Sequence, residues 1–391
     1  MSISAMGTLL IDGSVLEGGG QILRNAISLS ALLSKPVNIH KIRHNRKPPG
    51  LKNQHRTGIE LAAKIASARL TGAKNNSSEV EFVPGQINLP NDYMADSVTA
   101  GSITLLFQIA LPLLLFSPTP ASASTLTLLG GTNATMAPQV DYTKHVFLPF
   151  LNRHFGLSNN ISLEINKRGY FPRGGGKVTS KVTPLAGPGQ TLSGINLLER
   201  GNVRSIAGIA HYAGLPRAVG ESMVAGAERR LAQAGYGQTS ADNLHDDHES
   251  KNVTVSIANR REPNTLTTGA GSGIVLWAEL EGGGIIGGSA VGTKGRSPEV
   301  VGEEAAAELL KGLEEGGCVD EWIQDQIIIF MALAKGQSAV RCGTGGLSLH
   351  TRTAIWLAEQ LTEARFKVEE LPSGHSVIRC QGIGYTTASR P

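Results

Sequence analysis

The sequence predicts an α/β chain, mixed in the α+β sense, in which a helix–strand theme recurs and a smaller α/β segment interrupts it. Three observations predict this. Glycine is abundant, 48 of 391 residues, which suits short strand–turn–helix units with many tight turns and close backbone approaches. Apolar residues recur at helical spacing in some windows and alternate with polar ones in others. Finally, Gly187-Pro188-Gly189 opens a segment of different composition, after which the earlier theme returns.

The first copy of the theme starts at Gly19 with a helix whose buried stripe is Ile22, Ala26, Leu29 and Leu33. A strand at 37–42, a helix at 54–67 and a strand at 79–83 complete it. The second copy has helices at 96–116 and 142–155 and strands at 125–129 and 161–166. Arg168-Gly-Tyr-Phe-Pro-Arg-Gly-Gly-Gly-Lys177 then reads as a hairpin turn before the alternating strand 177–182, with Arg168 and Arg173 expected on a basic surface. The interrupting segment carries a strand at 203–212, a helix at 216–233 and strands at 252–257 and 273–279. The third copy takes 298–315, 319–335, 339–341 and 350–364, with closing strands near Val368 and Val377. The domain division read from this is 1–188 with 296–391 for the large part and 189–295 for the insert.

Composition narrows the function. Hydrophobic residues at 40% and charged residues at 17% are ordinary for a globular chain. A net charge of +4 is mild, so any polyanion must be met by a local cluster and not by the field of the whole molecule. Three cysteines, Cys318, Cys342 and Cys380, without C-x-x-C spacing argue against a disulfide framework or a structural zinc and for a reducing, intracellular setting, cytoplasm or nucleus. The first residues lack the basic flank and apolar run of a secretory signal. The apolar stretch 103–116 is broken by Gln108 and Pro112 and is shorter than the roughly 20 residues a bilayer span needs, so no membrane association is expected. His245-Asp-Asp-His248 invites a metal assignment, but its aperiodic polar setting favours a solvated loop.

Polar chemistry concentrates between Asp12 and Arg56. Gly18-Gly19-Gly20 precedes a helix, and Glu17, Gln21 and Arg24 fall at spacings that place a carboxylate, an amide and a guanidinium on one face. Arg43, Arg46 and Lys47 then run into Pro48-Pro49-Gly50, and Gln54 and His55 open the next helix. Backbone N–H groups at a helix start attract anions, and arginines grip phosphate oxygens two at a time, so one reading is a phosphate pocket. The other is a tight turn beside a solvated basic surface. Neither the Walker lysine-hydroxyl pair nor the dinucleotide glycine spacing is present.

A second centre is Gly343 to Glu359, where a strand passes through glycines into a helix with His350 near its start. The positive end of the helix dipole disfavours imidazolium, leaving a neutral and therefore nucleophilic ring. A capping or core histidine is the alternative.

The motifs EGGGQILRNAISLSALL, IRHNRKPPGLKNQH, RGYFPRGGGKV, DQIIIFMALA and LHTRTAIWLAEQL, in this order, resemble the RNA 3'-terminal phosphate cyclase family. The resemblance implies a large domain of three repeated units, each with two helices on a four-stranded sheet like the C-terminal domain of a bacterial translation initiation factor, and a smaller inserted α/β domain. It implies an ATP-dependent ligase-class reaction with RNA bearing a 3'-terminal phosphate as partner. The histidine matched by His350 takes AMP from ATP, passes it to the terminal phosphate, and the neighbouring 2'-hydroxyl closes the cyclic phosphate. Arg24, Arg43 and Arg46 match the positions that line the pocket. Glu17 matches the carboxylate associated with Mg²⁺ or Mn²⁺. Gln21, Gln54 and His55 match polar positions for nucleotide or terminal phosphate. Gln108, Pro138, Trp322, Asp325 and Gln326 match the nucleotide side, with Trp322, where bacterial members carry tyrosine, and Pro138 on opposite faces of adenine. Two rivals use similar architecture: cyclase-like ribosome-assembly factors, which lack the histidine, and enolpyruvyl transferases, which need neither the histidine nor RNA.

Overall fold

A computed structural model describes residues 7–117, 122–157, 160–186, 189–237 and 253–387. His245 to His248 lie outside the described residues. The chain is mixed α/β, and its sheets are built in sequence order.

The first sheet comes from β1 (Leu9–Asp12), β2 (Val37–His40), β3 (Arg69–Thr71) and β4 (Val80–Val83), with α1 (Gly20–Leu33) and α2 (Asn53–Ile65) between strands. Its order is β1-β2-β4-β3, the first pair parallel and the other two antiparallel. The second unit contains β5 (Asp92–Asp96), α3 (Ile103–Leu114), β6 (Phe116–Ser117), β7 (Ser124–Gly130), α4 (Val140–Tyr142), a π turn (Thr143–Phe147), α5 (Leu148–His154), β8 (Ile161–Lys167), β9 (Gly176–Val182) and β10 (Leu185–Ala186). Its sheet, β5-β7-β9-β8, repeats the same sequence of pairings, while β6 and β10 make a separate short pair.

β11 (Asn196–Leu197) leaves this unit to edge a sheet completed more than a hundred residues later. Between lie β12 (Val203–Ala213), α6 (Arg217–Gln233), β13 (Thr254–Arg261), β14 (Gly271–Leu280), β15 (Ile285–Val291) and α7 (Pro298–Glu314), with sheet order β13-β12-β14-β15. Then follow α8 (Glu321–Gln326), α9 (Ile328–Leu333), β16 (Lys335–Arg341), α10 (Leu349–Leu361), β17 (Arg365–Glu370) and β18 (Ser376–Ile383). The sheet β11-β16-β18-β17 again pairs parallel, antiparallel, antiparallel.

One hydrophobic core joins these three sheets and their helices. α1 lies at its centre, against α2, α3 and α10, and is buried on several sides at Leu23, Ala26, Ile27 and Leu29. A second core belongs to the interrupting segment.

Three local readings differ from the sequence expectation. The helix at 298–315, expected in the third copy, packs its Val301, Ala305, Leu309 and Leu313 stripe into the second core, against Met223, Ala227 and Leu231 of α6. Glycines permit that approach: a Cβ on Gly302 would stand 1.9 Å from the Met223 carbonyl oxygen. The stretch 319–335, expected as one element of the third copy, is two short helices, α8 and α9, that break at Ile327. The helix 96–116 is shortened to α3, because residues 92–96 form β5 and Ser97 to Gly101 form a hydrogen-bonded loop.

The largest correction concerns Arg168, which is 1% exposed and not on a basic surface. Its guanidinium grips both Asp141 oxygens, one at 2.9 Å, and donates to Glu262 Oε1 at 3.1 Å. His211 fills the remaining space, 2.9 Å from the Tyr170 hydroxyl and 3.2 Å from Asn133 Nδ2. Burial, then Arg168, pushes the His211 imidazole down to about 3, so it is neutral. Against its burial, the Arg168 guanidinium holds Asp141 well below the usual carboxylate range. The cluster fastens β12 and the end of β13 to the α4 region. Arg173, in contrast, is exposed as expected. Replacing Arg168 with Ala leaves the buried Asp141 carboxylate without its guanidinium partner, while Glu262 keeps Arg260 at 3.2 Å, and we expect a loss of about 3–5 kcal/mol in urea unfolding; a loss below about 1 kcal/mol contradicts this role for the cluster.

Candidate functional site

The loops and helix starts of the three units converge on a cleft of about 590 Å³. Its floor is the start of α1. Gly19 caps that helix, and both Gly19 and Gly20 line the cleft, where neighbouring side chains already occupy the space a Cβ would need. A Cβ on Gly19 would lie 2.0 Å from Glu17 Oε1; one on Gly20 would lie 2.8 Å from Arg24 Nη1 and 2.9 Å from His55 Nε2. Glu17 belongs to the turn before α1 and not to the helix itself. Its backbone N–H donates to Thr353 Oγ1 of α10 at 3.1 Å, tying the two helix starts together.

The structure brings Glu17, Gln21, Arg24, Arg43, Arg46, Gln54, His55, Gln108, Pro138, Trp322, Asp325 and His350 to this one cleft. Gln326 stands just behind it: it accepts from Gln108 Nε2 at 2.9 Å and, with Gln21 and Gln108, lines a small adjoining cavity. Sequence reasoning did not single out Lys52, Met136, Glu308, Glu321 or Ser348, which also line the cleft. Lys52 extends the basic run that ends at Lys47, and its spacing from Gln54 carried a usable signal. Glu308 carried none, since it arrives on α7 from the interrupting segment.

Charge is distributed unevenly across the cleft. Arg24, Arg43, Arg46 and Lys52 come from α1 and the segment leading into α2, whereas Glu308, Glu321 and Asp325 come from α7 and α8, with Arg24 near enough to Asp325 to oppose the rise of its carboxyl. Arg46 pairs with Glu17 Oε1 at 2.6 Å, and Arg43 braces its own loop through the carbonyls of Pro48 (3.2 Å) and Gly50 (3.1 Å). Arg24 donates to Gln21 Oε1. Glu17 Oε2 is buried and has no hydrogen-bond partner among the described residues, and the same is true of Asp325 Oδ1.

Two histidines in this cationic environment are kept neutral. Burial, then Arg24, Arg43 and Lys52, pushes His55 down to about 3. The Lys52 N–H donates to His55 Nδ1 at 3.2 Å, so the ring proton sits on Nε2, facing Gly20. His350 is the second residue of α10, whose start is capped by Ser348 accepting from the Thr351 N–H at 3.2 Å. Partial enclosure, with Arg24 and Arg46, lowers the His350 imidazole from its ordinary range against the opposing pull of Glu17 and Glu321. A neutral imidazole at a helix start, beside several guanidinium groups, can attack an electrophilic phosphorus.

α8 carries the opposite wall. Asp320 caps it by accepting from the Ile323 N–H at 2.8 Å, while its other oxygen accepts from the Gly287 N–H of β15 at 2.6 Å. Trp322 Nε1 donates to Glu308 Oε1 at 2.9 Å, and Glu308 also accepts from the Ser289 N–H at 2.7 Å. The indole edge is thereby fixed by the interrupting segment. Asp325 is pushed up to about 7 by burial, with Arg24 opposing and Asp320 and Glu321 reinforcing.

That upward shift sets the sign of a stability prediction. Ionising Asp325 is easier in the unfolded chain than in the fold, so its contribution falls as pH rises from the unfolded value through about 7. Asp325→Asn is expected to be the more stable protein at pH 8, by on the order of 2–4 kcal/mol, with the gap closing near pH 4. Urea unfolding at several pH values checks this; a pH-independent difference contradicts it.

Among the described residues no group of three or more His, Cys, Asp or Glu side chains converges as a metal cage. The orphaned Glu17 Oε2 fits a different arrangement, a divalent ion held by one protein carboxylate and otherwise by ligand oxygens. Nor is any helix long and apolar enough to cross a membrane among these residues.

A family model described as RNA 3'-terminal phosphate cyclase matches residues 15–368. The RNA 3'-terminal phosphate cyclase of Drosophila melanogaster is 40% identical over 378 residues, covering 96% of this chain and 97% of the relative. The probable RNA 3'-terminal phosphate cyclase of Dictyostelium discoideum is 40% identical, covering 96% and 83%. A relative of the same name, from Pyrobaculum neutrophilum, is 38% identical, covering 96% and 99%. The chain belongs to the RNA 3'-terminal phosphate cyclase family.

Proposed function

We propose that this protein uses ATP to convert the 3'-terminal phosphate of an RNA into a 2',3'-cyclic phosphate, and that His350 carries AMP between the two substrates. The observation that carries the reading is a neutral imidazole at the start of α10, opening into a cleft whose adjoining wall is three arginines.

In the first step a ring nitrogen of His350 bonds to the α-phosphorus of ATP, the bond from that phosphorus to the bridging oxygen breaks, and pyrophosphate leaves with the electron pair. Imidazole must be unprotonated for this, which the depressed basicity of His350 supplies. Arg24, Arg43 and Arg46 take up the charge developing on the phosphate oxygens. In the second step an oxygen of the RNA 3'-phosphate attacks the same phosphorus, the nitrogen–phosphorus bond breaks, and His350 is restored. In the third the vicinal 2'-oxygen, losing its proton, attacks the activated 3'-phosphorus and AMP leaves.

The division of charge orients the reactants. Adenine, uncharged and bearing an amino donor, suits the end formed by Trp322, Pro138 and Asp325, where Gln108 and Gln326 supply amides nearby. The phosphates suit the arginine end, with Gln21, Gln54 and neutral His55 as hydrogen-bonding groups. Glu17, through its free oxygen, would hold Mg²⁺ or Mn²⁺, which when bound neutralises phosphate charge and orients the nucleotide oxygens.

Incubation with α-labelled ATP is expected to label the wild-type protein and not His350→Ala; a labelled variant contradicts the assignment, and label on neither favours a non-catalytic RNA-binding factor. Arg43→Ala is expected to lower the rate constant of self-labelling about 100-fold while changing the ATP concentration for half-maximal rate by less than about threefold. Equal losses in both quantities would make Arg43 a binding residue only.

A further inference from the structure

A second groove, of about 480 Å³, adjoins the cleft and shares Lys52 and Gln54 with it. Its other lining residues are Leu51, Asn53, Asn75, Asn76, Thr99 and Gly101, and among the described residues no carboxylate lines it. The loop bearing Asn75 and Asn76 is fastened to the start of α2: the Asn76 N–H donates to the Leu51 carbonyl at 2.8 Å, the Leu51 N–H to the Ser77 carbonyl at 3.0 Å, and Asn75 Nδ2 to Asn53 Oδ1 at 2.5 Å. Gln54 accepts from the Ser102 N–H at 3.2 Å, which fixes its carbonyl against the far wall and leaves its amide NH₂ as a donor at the junction of the two spaces. The far wall is strained. Val98, beside Thr99, has φ 59° and is 77% exposed, a conformation rare for a β-branched residue, and it is held by its N–H donating to Asp96 Oδ1 at 2.7 Å.

We infer that this groove seats the RNA strand just upstream of its 3' end. This rests on the proposed function. The cleft is large enough for one nucleotide-sized ligand, so a polynucleotide whose terminal phosphate enters it must leave through an opening. Glu308, Glu321 and Asp325, on α7 and α8, disfavour the passage of a polyanion along that wall. The side at Lys52 and Gln54 does not, and it continues into a groove whose amides can bond ribose hydroxyls and base edges. Those amides are neutral, so affinity there comes from hydrogen bonding and from the single lysine at the junction, without a dense cationic track.

The experiment compares full-length protein with the Asn75→Asp/Asn76→Asp double variant and with Asn75→Lys. All three side chains suit an exposed loop, and Asp is tolerated at the left-handed φ of 64° at position 76. Fluorescence anisotropy without ATP uses an end-labelled, 3'-phosphorylated oligoribonucleotide of about ten residues; self-labelling with ATP is measured in parallel. The expected result is a dissociation constant raised about tenfold by the two added negative charges and lowered by Asn75→Lys, with self-labelling of all three proteins within about twofold. An oligonucleotide affinity unchanged in both variants overturns the groove assignment. So does loss of self-labelling in the double variant alone, which would make the groove part of the nucleotide site. Absence of self-labelling in every protein overturns the proposed reaction instead, and the anisotropy still decides the groove.

Discussion

Asp320 is the constraint on which the site depends most. One carboxylate oxygen accepts from the Tyr142 hydroxyl at 2.6 Å and caps α8, and the other accepts from the Gly287 N–H. Three parts of the chain, far apart in sequence, therefore meet at a single buried side chain. Burial, opposed by the Tyr142 bond, raises this carboxyl to about 6. Without these bonds α8 would be a helix of less than two turns between two cores, with nothing to fix its rotation. With them, Trp322 and Asp325 face the cleft. Glu308 adds the second restraint by holding the Trp322 indole from α7. The interrupting segment thus contributes to one wall of the cleft as well as forming a core of its own.

The cleft also illustrates why active sites are not stability optima. Asp325 has an unpartnered buried oxygen and a strongly raised basicity, Glu17 has another unpartnered oxygen, and several guanidinium groups crowd two imidazoles. Each is unfavourable to folding in isolation. A bound nucleotide with its metal and phosphates would answer all of them at once: anionic oxygens for the arginines, a cation for Glu17, and a donor for Asp325. The fold offsets the expense elsewhere, through a central α1 buried on several sides and the fully satisfied Arg168 cluster.

Much of this was legible in the sequence because the signals were local. Gly18 to Gly20 before an apolar stripe marked α1, and the helical pattern after Ser348 placed His350 at a helix start. The resemblance of the motifs then brought together residues such as Gln108 and Asp325 that no periodicity links. What was not legible is set by distant partners. Arg168 stands between Lys167 and Gly169 in a basic run and reads as surface; its ion partners are 27 and 94 residues away. α7 has an apolar stripe that fits either core, and only the close approach allowed by Gly302 and Gly226 decides for α6. Strands of two residues, such as β11, carry too little pattern to be read at all, although β11 is what returns the chain to the third sheet.

The central claim is that His350 is the residue that accepts AMP. Peptide mass mapping of protein incubated with ATP and a divalent metal tests it most directly, because Lys52 and the neutral His55 line the same cleft and also carry nitrogen nucleophiles. The account predicts an acid-labile AMP adduct on the peptide containing His350. An adduct on His55 or Lys52, or unmodified protein at a saturating concentration of ATP, would contradict it.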